Sequence, residues 1–314
     1  MKSSSCASMV RLARRYLAHR RGFGYRLRAE GYDLIALARF LDRHASGQPL
    51  RTKLALQWIH SRPVQPVTRS CRLSTIRGFA RFCATLDPRT QIPPQHLTPC
   101  GPRRRAPHIF TAAQRQLLLR RTQELHPWRD PLRILTYRTL LGLLICAGLR
   151  PAEARRLTDQ DFNARTGTLR VPAVKRGSER ILPLHPSTVR ALQSYQRRRQ
   201  SHYPLAHHFF VGPLGRPLRM GAADWTFQGL VRGIPGNGSR PRPRLYDLRH
   251  GFATHWIARW TRQSAPLAHR LVLLSRYLGH QHFRATYWYV QPQSSALRAA
   301  AIRWERHHQT PRAD

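Results

Sequence analysis

"GTLRVPAVKRGSERILPL", residues 167–184, carries the clearest β signal in a chain that otherwise reads as helix. It gives two short strands around the turn "KRGS", the pattern of a tight hairpin. On both sides of it, apolar residues recur at three- and four-residue spacing, which is the period of an amphipathic helix. The fold class this predicts is mainly α with a small antiparallel β-sheet.

Working upstream, a helix around Pro131–Ala147 leads into "AGLRPAEARRL" (147–157), where Pro151 is suited to start a new helix just after Arg150. The most apolar run, "LLGLLICAGL" at 140–149, is too short to span a bilayer and ends at Arg150. Thr111 opens an earlier helix, with Gln114 three residues on in a capping-box arrangement. Before it, "TPCGPRRRAPHIFT" (98–111) combines three prolines, a glycine and an Arg triplet, and reads as a linker suited to lie along phosphates. Downstream of the hairpin, helices resume at "STVRALQSYQRRRQ", "YDLRHGFATHWIARW" and "LAHRLVLLSRYLGH", with "VRGIPGNGSRPRPR" (231–244) as a basic loop.

The N-terminal part is helical throughout. "MVRLARRYLAHRRGFGY", "YDLIALARFLDRHA", "LRTKLALQWIHSR" and "RSCRLSTIRGFARFCATLD" alternate apolar positions with arginines, and Pro63, Pro66 and the Pro93-Pro94 pair separate them. The expected organisation is an N-terminal helical domain over 1–98, a basic linker over 99–110 and a second domain over 111–314. Four short helices with basic outer faces suit a clamp on DNA; a generic bundle with solvated arginines is the bland alternative.

Charge narrows the partner. The 314 residues hold 55 Lys+Arg against 14 Asp+Glu, a formal net charge of +41, so the chain repels itself unless a polyanion is at hand. Nucleic acid is the favoured partner and an anionic membrane surface the second. Only three of the cations are lysines, Lys2, Lys53 and Lys175; the other 52 are arginines, as a GC-rich genome would write them. Five scattered cysteines form no CxxC pair and suit a reducing cytosol. The opening "MKSSSCASMVRLARRYLAHRR" has no apolar run of signal-peptide length, and the expected location is cytoplasmic, with the nucleoid.

If the substrate is the DNA backbone, the site needs a nucleophile, a positive cradle, a proton acceptor and an acid for the leaving oxygen. HExxH, paired acidic clusters, and Walker or Rossmann glycine spacing are absent, so neither a metal nor a nucleotide cofactor is expected. Arg150, after "LLICAGL", and Arg249, inside "YDLRHGFATHW", sit in apolar settings and suit a guanidinium fork on phosphate. Each also has a bland reading as a salt bridge, with Glu153 and Asp247 respectively. Lys175 stands where the chain otherwise writes Arg, and an ammonium, unlike a guanidinium, can be tuned to give up a proton.

Taken in order, "AGLRPAEARRL", "VKRGSERILPL", "YDLRHGFATHW" and "YLGHQHFRATYWYV" resemble the successive signature segments of the tyrosine recombinase (phage integrase) family. The similarity covers about residues 107–305, and the N-terminal helices resemble the family's core-binding domain more loosely. "TYWYV" and "RGFARF" resemble integrases carried by transposons and other mobile elements. The resemblance implies a catalytic domain of the DNA breaking-rejoining fold, with Arg150 and Arg249 as the two catalytic arginines and Glu153 as a supporting acid. It makes Lys175 the hairpin lysine, His280 the histidine of the "LGH" segment, and Tyr289, nine residues beyond it, the nucleophile. Tyr287 and Trp288 are then packing residues. His250, next to Arg249, points elsewhere if its segment is helical and has no role, and neighbouring guanidinium groups are expected to lower the Tyr289 pKa.

One position departs from the family pattern: Tyr246 stands where a histidine is usual, three residues before the second arginine. A phenol donates a hydrogen bond but accepts a proton poorly near neutral pH, so the group that takes the Tyr289 proton is left open. The implied activity is site-specific recombination or integration of double-stranded DNA through a 3′-phosphotyrosyl intermediate, without metal or ATP. The implied assembly is a homo- or hetero-tetramer on two DNA sites, with neighbouring recombinases as possible partners and "SSALRAAAIRWERHH" as a docking helix. Two other readings stand beside it: a non-catalytic DNA-binding accessory subunit, and a type IB topoisomerase.

Overall fold

The computed structural model describes residues 8–98, 106–127, 130–173, 179–235, 242–263 and 267–290, the side chains of Arg284 and Tyr287 excepted. The start of the basic linker, the hairpin turn with Lys175, residues 236–241 of the 231–244 loop and the "SSALRAAAIRWERHH" segment therefore lie outside the described residues. The chain divides into two compact units between Arg105 and Ala106, inside the stretch 99–110.

Among its described residues the first unit holds four helices: α1 (Met9–Gly22), α2 (Arg28–His44), α3 (Thr52–His60) and α4 (Pro66–Ala84). Their apolar faces meet in one core through residues such as Leu17, Leu37, Ile59, Ile76 and Phe79. Pro66 occupies the first turn of α4, where a missing N–H costs nothing. The start of α1 is held from a distance: the Asp42 carboxylate accepts from Ser8 Oγ at 2.6 Å and from the Met9 N–H at 2.8 Å. That puts a negative charge at the positive end of a helix.

The second unit is built on α6 (Arg133–Ala147), apolar on nearly every side and buried through Leu140, Leu141, Leu143 and Leu144. Ahead of it comes α5 (Ala112–Arg121), and after it the single turn α7 (Pro151–Ala154). Three short strands follow, β1 (Phe162–Asn163), β2 (Thr168–Val171) and β3 (Arg180–Pro183), in an antiparallel sheet of order β1-β2-β3. Leu169 pairs with Leu182 across it, and strand alternation turns both inward while Ile181 is exposed. Arg180 shares the inward face with Leu182, a register that the site exploits.

Helices α8 (Pro186–His202), α9 (Met220–Val231), α10 (Leu245–Arg262), α11 (Leu267–Leu278) and α12 (Arg284–Tyr287) complete the unit. The sequence reading did not include α9. Gly221 and Gly229 weaken its local helix signal, and the buried Ala223, Phe227 and Leu230 hold it instead. A smaller cluster of Ile257, Leu271, Leu274, Leu278 and Tyr289 seals the C-terminal side. Among the described residues no helix is long and apolar enough to cross a membrane.

Candidate active site

The site grows from the end of α11. Its last carbonyls have no partner inside the helix, and Gly279, at φ +65°, turns the chain away. Three guanidinium groups take the carbonyls of its last two residues and of Gly279 just beyond. Arg180 Nε donates to the Tyr277 carbonyl at 2.7 Å, Arg249 Nη2 to that of Leu278 at 2.6 Å, and Arg150 Nη2 to that of Gly279 at 3.0 Å. The negative end of the helix thus gathers cations from three distant segments. Glycine is required at 279 for conformation and for space, since a Cβ there would lie 2.7 Å from Arg180 Nη1. Gly148, also left-handed at φ +59°, ends α6 and gives its carbonyl to Arg249 Nη1 at 3.0 Å.

One carboxylate braces the three cations. Glu153, 2% exposed, accepts from Arg150 Nη1 at 2.7 Å and from Arg180 Nη2 at 2.9 Å, with Arg249 Nη1 at 3.9 Å. Its second oxygen also accepts from the Arg150 backbone N–H at 2.9 Å, closing the first turn of α7. Burial alone would raise the Glu153 pKa, but hydrogen bonds and charge from Arg180 and Arg150 outweigh it and hold the carboxyl below its ordinary range. Arg249 is fully buried, and its pKa is lowered first by that burial and then by repulsion from Arg150. Three guanidinium groups against one carboxylate leave this cluster with a positive surplus.

The aromatic side of the site faces that surplus. Tyr289 is 7% exposed and its hydroxyl lies beside Arg249. The Tyr246 hydroxyl lies beside Arg150. The His280 ring stacks on Tyr289, 5.9 Å between centroids and 12° between planes, and its Nδ1 is 2.7 Å from Thr286 Oγ1. Burial, then Arg249, Arg150 and Arg180, push the His280 pKa down to about 3, so the ring is neutral at physiological pH. Burial raises the Tyr289 pKa more than Arg249 lowers it, so the net direction is upward. Three centres dominate the arrangement: a buried phenol, a neutral imidazole and a bank of guanidinium groups. Together they set a positively charged cluster beside a buried phenol.

In comparison with known proteins, residues 110–295 match the model of the phage integrase family. The chain belongs to this family. A protein of Sinorhizobium fredii named as an integrase/recombinase, y4rB, is 38% identical over 302 residues, 93% of this chain and 95% of the relative. The tyrosine recombinase XerD of Xanthomonas campestris pv. campestris is 29% identical over 246 residues, 72% of this chain and 71% of that one. Among solved structures, the Tn1549 transposon integrase in complex with a circular intermediate DNA has the same fold, at TM-score 0.68 and 17% identity over 94% of this chain and 99% of that one. Family membership makes this chain a site-specific recombinase, mainly helical with one small antiparallel sheet.

In this integrase-family chain the structure brings together Arg150, Glu153, Tyr246, Arg249, His280 and Tyr289. Lys175 and the Tyr287 side chain lie outside what is described, and Trp288 packs in the C-terminal cluster. Two expectations are corrected. His250 does not point elsewhere: its ring lies 5.1 Å from that of Tyr246 and 5.2 Å from that of Tyr289. Residues four apart share a helix face, so Tyr246 and His250 meet on α10. Arginines were also expected to lower the Tyr289 pKa, whereas burial reverses the net direction. The sequence reading gave Arg180 no part in the site, although strand alternation with Leu182 marks it as inward-facing.

Proposed function

We propose that this recombinase breaks and rejoins double-stranded DNA through a covalent link between Tyr289 and a 3′ phosphate. The observation that carries the proposal is the Tyr289 hydroxyl beside the buried Arg249, within a cluster of three guanidinium groups and one carboxylate. The Tyr289 phenol gives its proton to solvent water as Oη attacks phosphorus, the bond to the 5′ oxygen breaks, and Lys175 supplies the proton that this oxygen needs. A phosphodiester carries one negative charge and its phosphorane-like transition state carries two, so preorganised cations stabilise the transition state more than the ground state. Arg150 and Arg249 lie closest to Tyr246 and Tyr289 and take the phosphoryl oxygens, with His280 as a third donor. Arg180 and Glu153 hold the two arginines in position. When the 5′ hydroxyl of another strand attacks the phosphotyrosine, the backbone is restored and Tyr289 is released. The bond energy stays in the covalent link throughout.

The net charge of +41 supports binding that weakens steeply with salt, as each neutralised phosphate releases counterions. The N-terminal unit is read as the core-binding clamp and residues 111–314 as the catalytic domain. The assembly is read as a homo- or hetero-tetramer on two DNA sites, with a role in moving a mobile element. The test uses nicked duplexes drawn from the DNA flanking the gene. Wild-type protein should form a detergent-stable adduct and Tyr289→Phe should form none while still binding. Adducts from Tyr289→Phe at the wild-type level would remove Tyr289 from this role.

A further inference from the structure

We propose that Thr286 is a positioning residue for His280: its hydroxyl donates to Nδ1 and fixes the ring as the tautomer with its proton on Nε2, available to a phosphoryl oxygen. The inference rests on the reading of the site given above. The two side chains meet because the chain reverses after Gly279 and α12 brings residue 286 back over the imidazole, with Oγ1 and Nδ1 2.7 Å apart.

The direction of that hydrogen bond follows from burial. Thr286 is 0% exposed, and among the described residues its hydroxyl hydrogen-bonds to Nδ1 alone. A hydroxyl that accepted from Nδ1–H would leave its own proton without an acceptor inside the protein, a buried donor left unsatisfied. Donation to Nδ1 avoids this. The ring is neutral, with its pKa lowered to about 3 by burial and by Arg249, Arg150 and Arg180, so it carries a single N–H. Which nitrogen holds that proton is set by the bond the other nitrogen makes. With Nδ1 taken as acceptor, the proton sits on Nε2. The opposite tautomer would turn a lone pair toward an anion and repel it. The His280 backbone N–H is itself anchored to the Ser275 carbonyl at 3.0 Å, so the hydroxyl acts on a ring whose main chain is already fixed.

Adduct formation on the nicked duplexes tests the role. Thr286→Val keeps the shape and removes the hydroxyl; it should slow adduct formation ~10–100-fold, by analogy with the loss when the hydrogen-bond partner that orients a metal-binding histidine is removed. DNA binding should not change, and Thr286→Ser should restore most of the rate. In a His280→Ala background, Thr286→Val should add no further loss, because the two act as one unit. A wild-type rate from Thr286→Val, or its full penalty repeated on His280→Ala, would overturn the proposal. Should Thr286→Val not fold, ¹⁵N-histidine NMR of the DNA-free wild-type protein decides. The His280 signals, identified by their loss in His280→Gln, should report a proton on Nε2, and a proton on Nδ1 overturns the inference. Failure of the wild-type protein to form any adduct would count against the proposed function and leave the NMR result free to decide the tautomer.

Discussion

Two arginines of the second unit, Arg199 and Arg249, are both fully buried, and their surroundings differ in one respect. Arg199, on α8, is paired with Asp159 through Nη2 and donates through Nη1 to the Ala206 carbonyl at 2.7 Å. Asp159 is held in turn by Gln196 Nε2 at 3.1 Å. Charge there is matched one to one. Arg249 donates to the Gly148 and Leu278 carbonyls, and its nearest carboxylate, Glu153 at 3.9 Å, is shared with Arg150 and Arg180. Carbonyl oxygens fix the guanidinium without neutralising it. The contrast separates a cation that serves the fold from a cation kept for something that arrives: the balanced corner has no call on a phosphate, whereas the surplus around Arg249 has.

The largest expected effect breaks this comparison most directly. Arg249→Met should reduce adduct formation ~10²–10³-fold, the scale of losing a preorganised donor to a developing oxyanion. Its cost in stability should be modest, since two unmet carbonyls are offset by relief of repulsion with Arg150. Arg199→Met should do the reverse. Removing one partner of a buried pair costs about 3 kcal/mol, read as a lower urea midpoint, while the folded fraction forms adducts at the wild-type rate. If Arg199→Met also lost chemistry at constant fold, the division between the two arginines would be wrong.

Much of this was legible in the sequence where the physics is local. The Thr111–Gln114 capping box, read from spacing alone, is present in both directions, at 3.1 Å and 2.9 Å. The hairpin was legible because "GTLRVPAVKRGSERILPL" has a period of two in a chain whose helices have a period near 3.6. The inward register of Arg180 and the meeting of Tyr246 with His250 follow from those same periods, yet no local signal says that the faces they share are the site. The use of α11's terminal carbonyls as anchors was not legible at all. It depends on three segments meeting around Gly279, each separately unremarkable. Burial of Tyr289 is tertiary in the same sense: neighbouring positive charge was foreseeable from the motif, but the desolvation that outweighs it was not.

The smallest effect sharpens the comparison through pH. The folded protein holds the His280 pKa at about 3, below the ordinary value of 6.5, so between these values the unfolded chain binds a proton that the folded chain refuses. Stability from this group is complete above pH ~6.5 and falls as the pH drops toward 3, because stability rises with pH wherever the unfolded state binds more protons. Glu153, whose pKa is lowered from 4.5, has the same sign in a lower window, so the interval from pH 6.5 to 5 isolates histidine. His208 and His255 are also lowered and contribute alongside it, which makes the informative quantity a difference between proteins. Urea midpoints of the wild type should fall across that interval more than those of His280→Gln. Equal slopes would mean that the imidazole is not held neutral against the three guanidinium groups, and the positive surplus inferred around Arg249 would then be smaller than its hydrogen bonds imply.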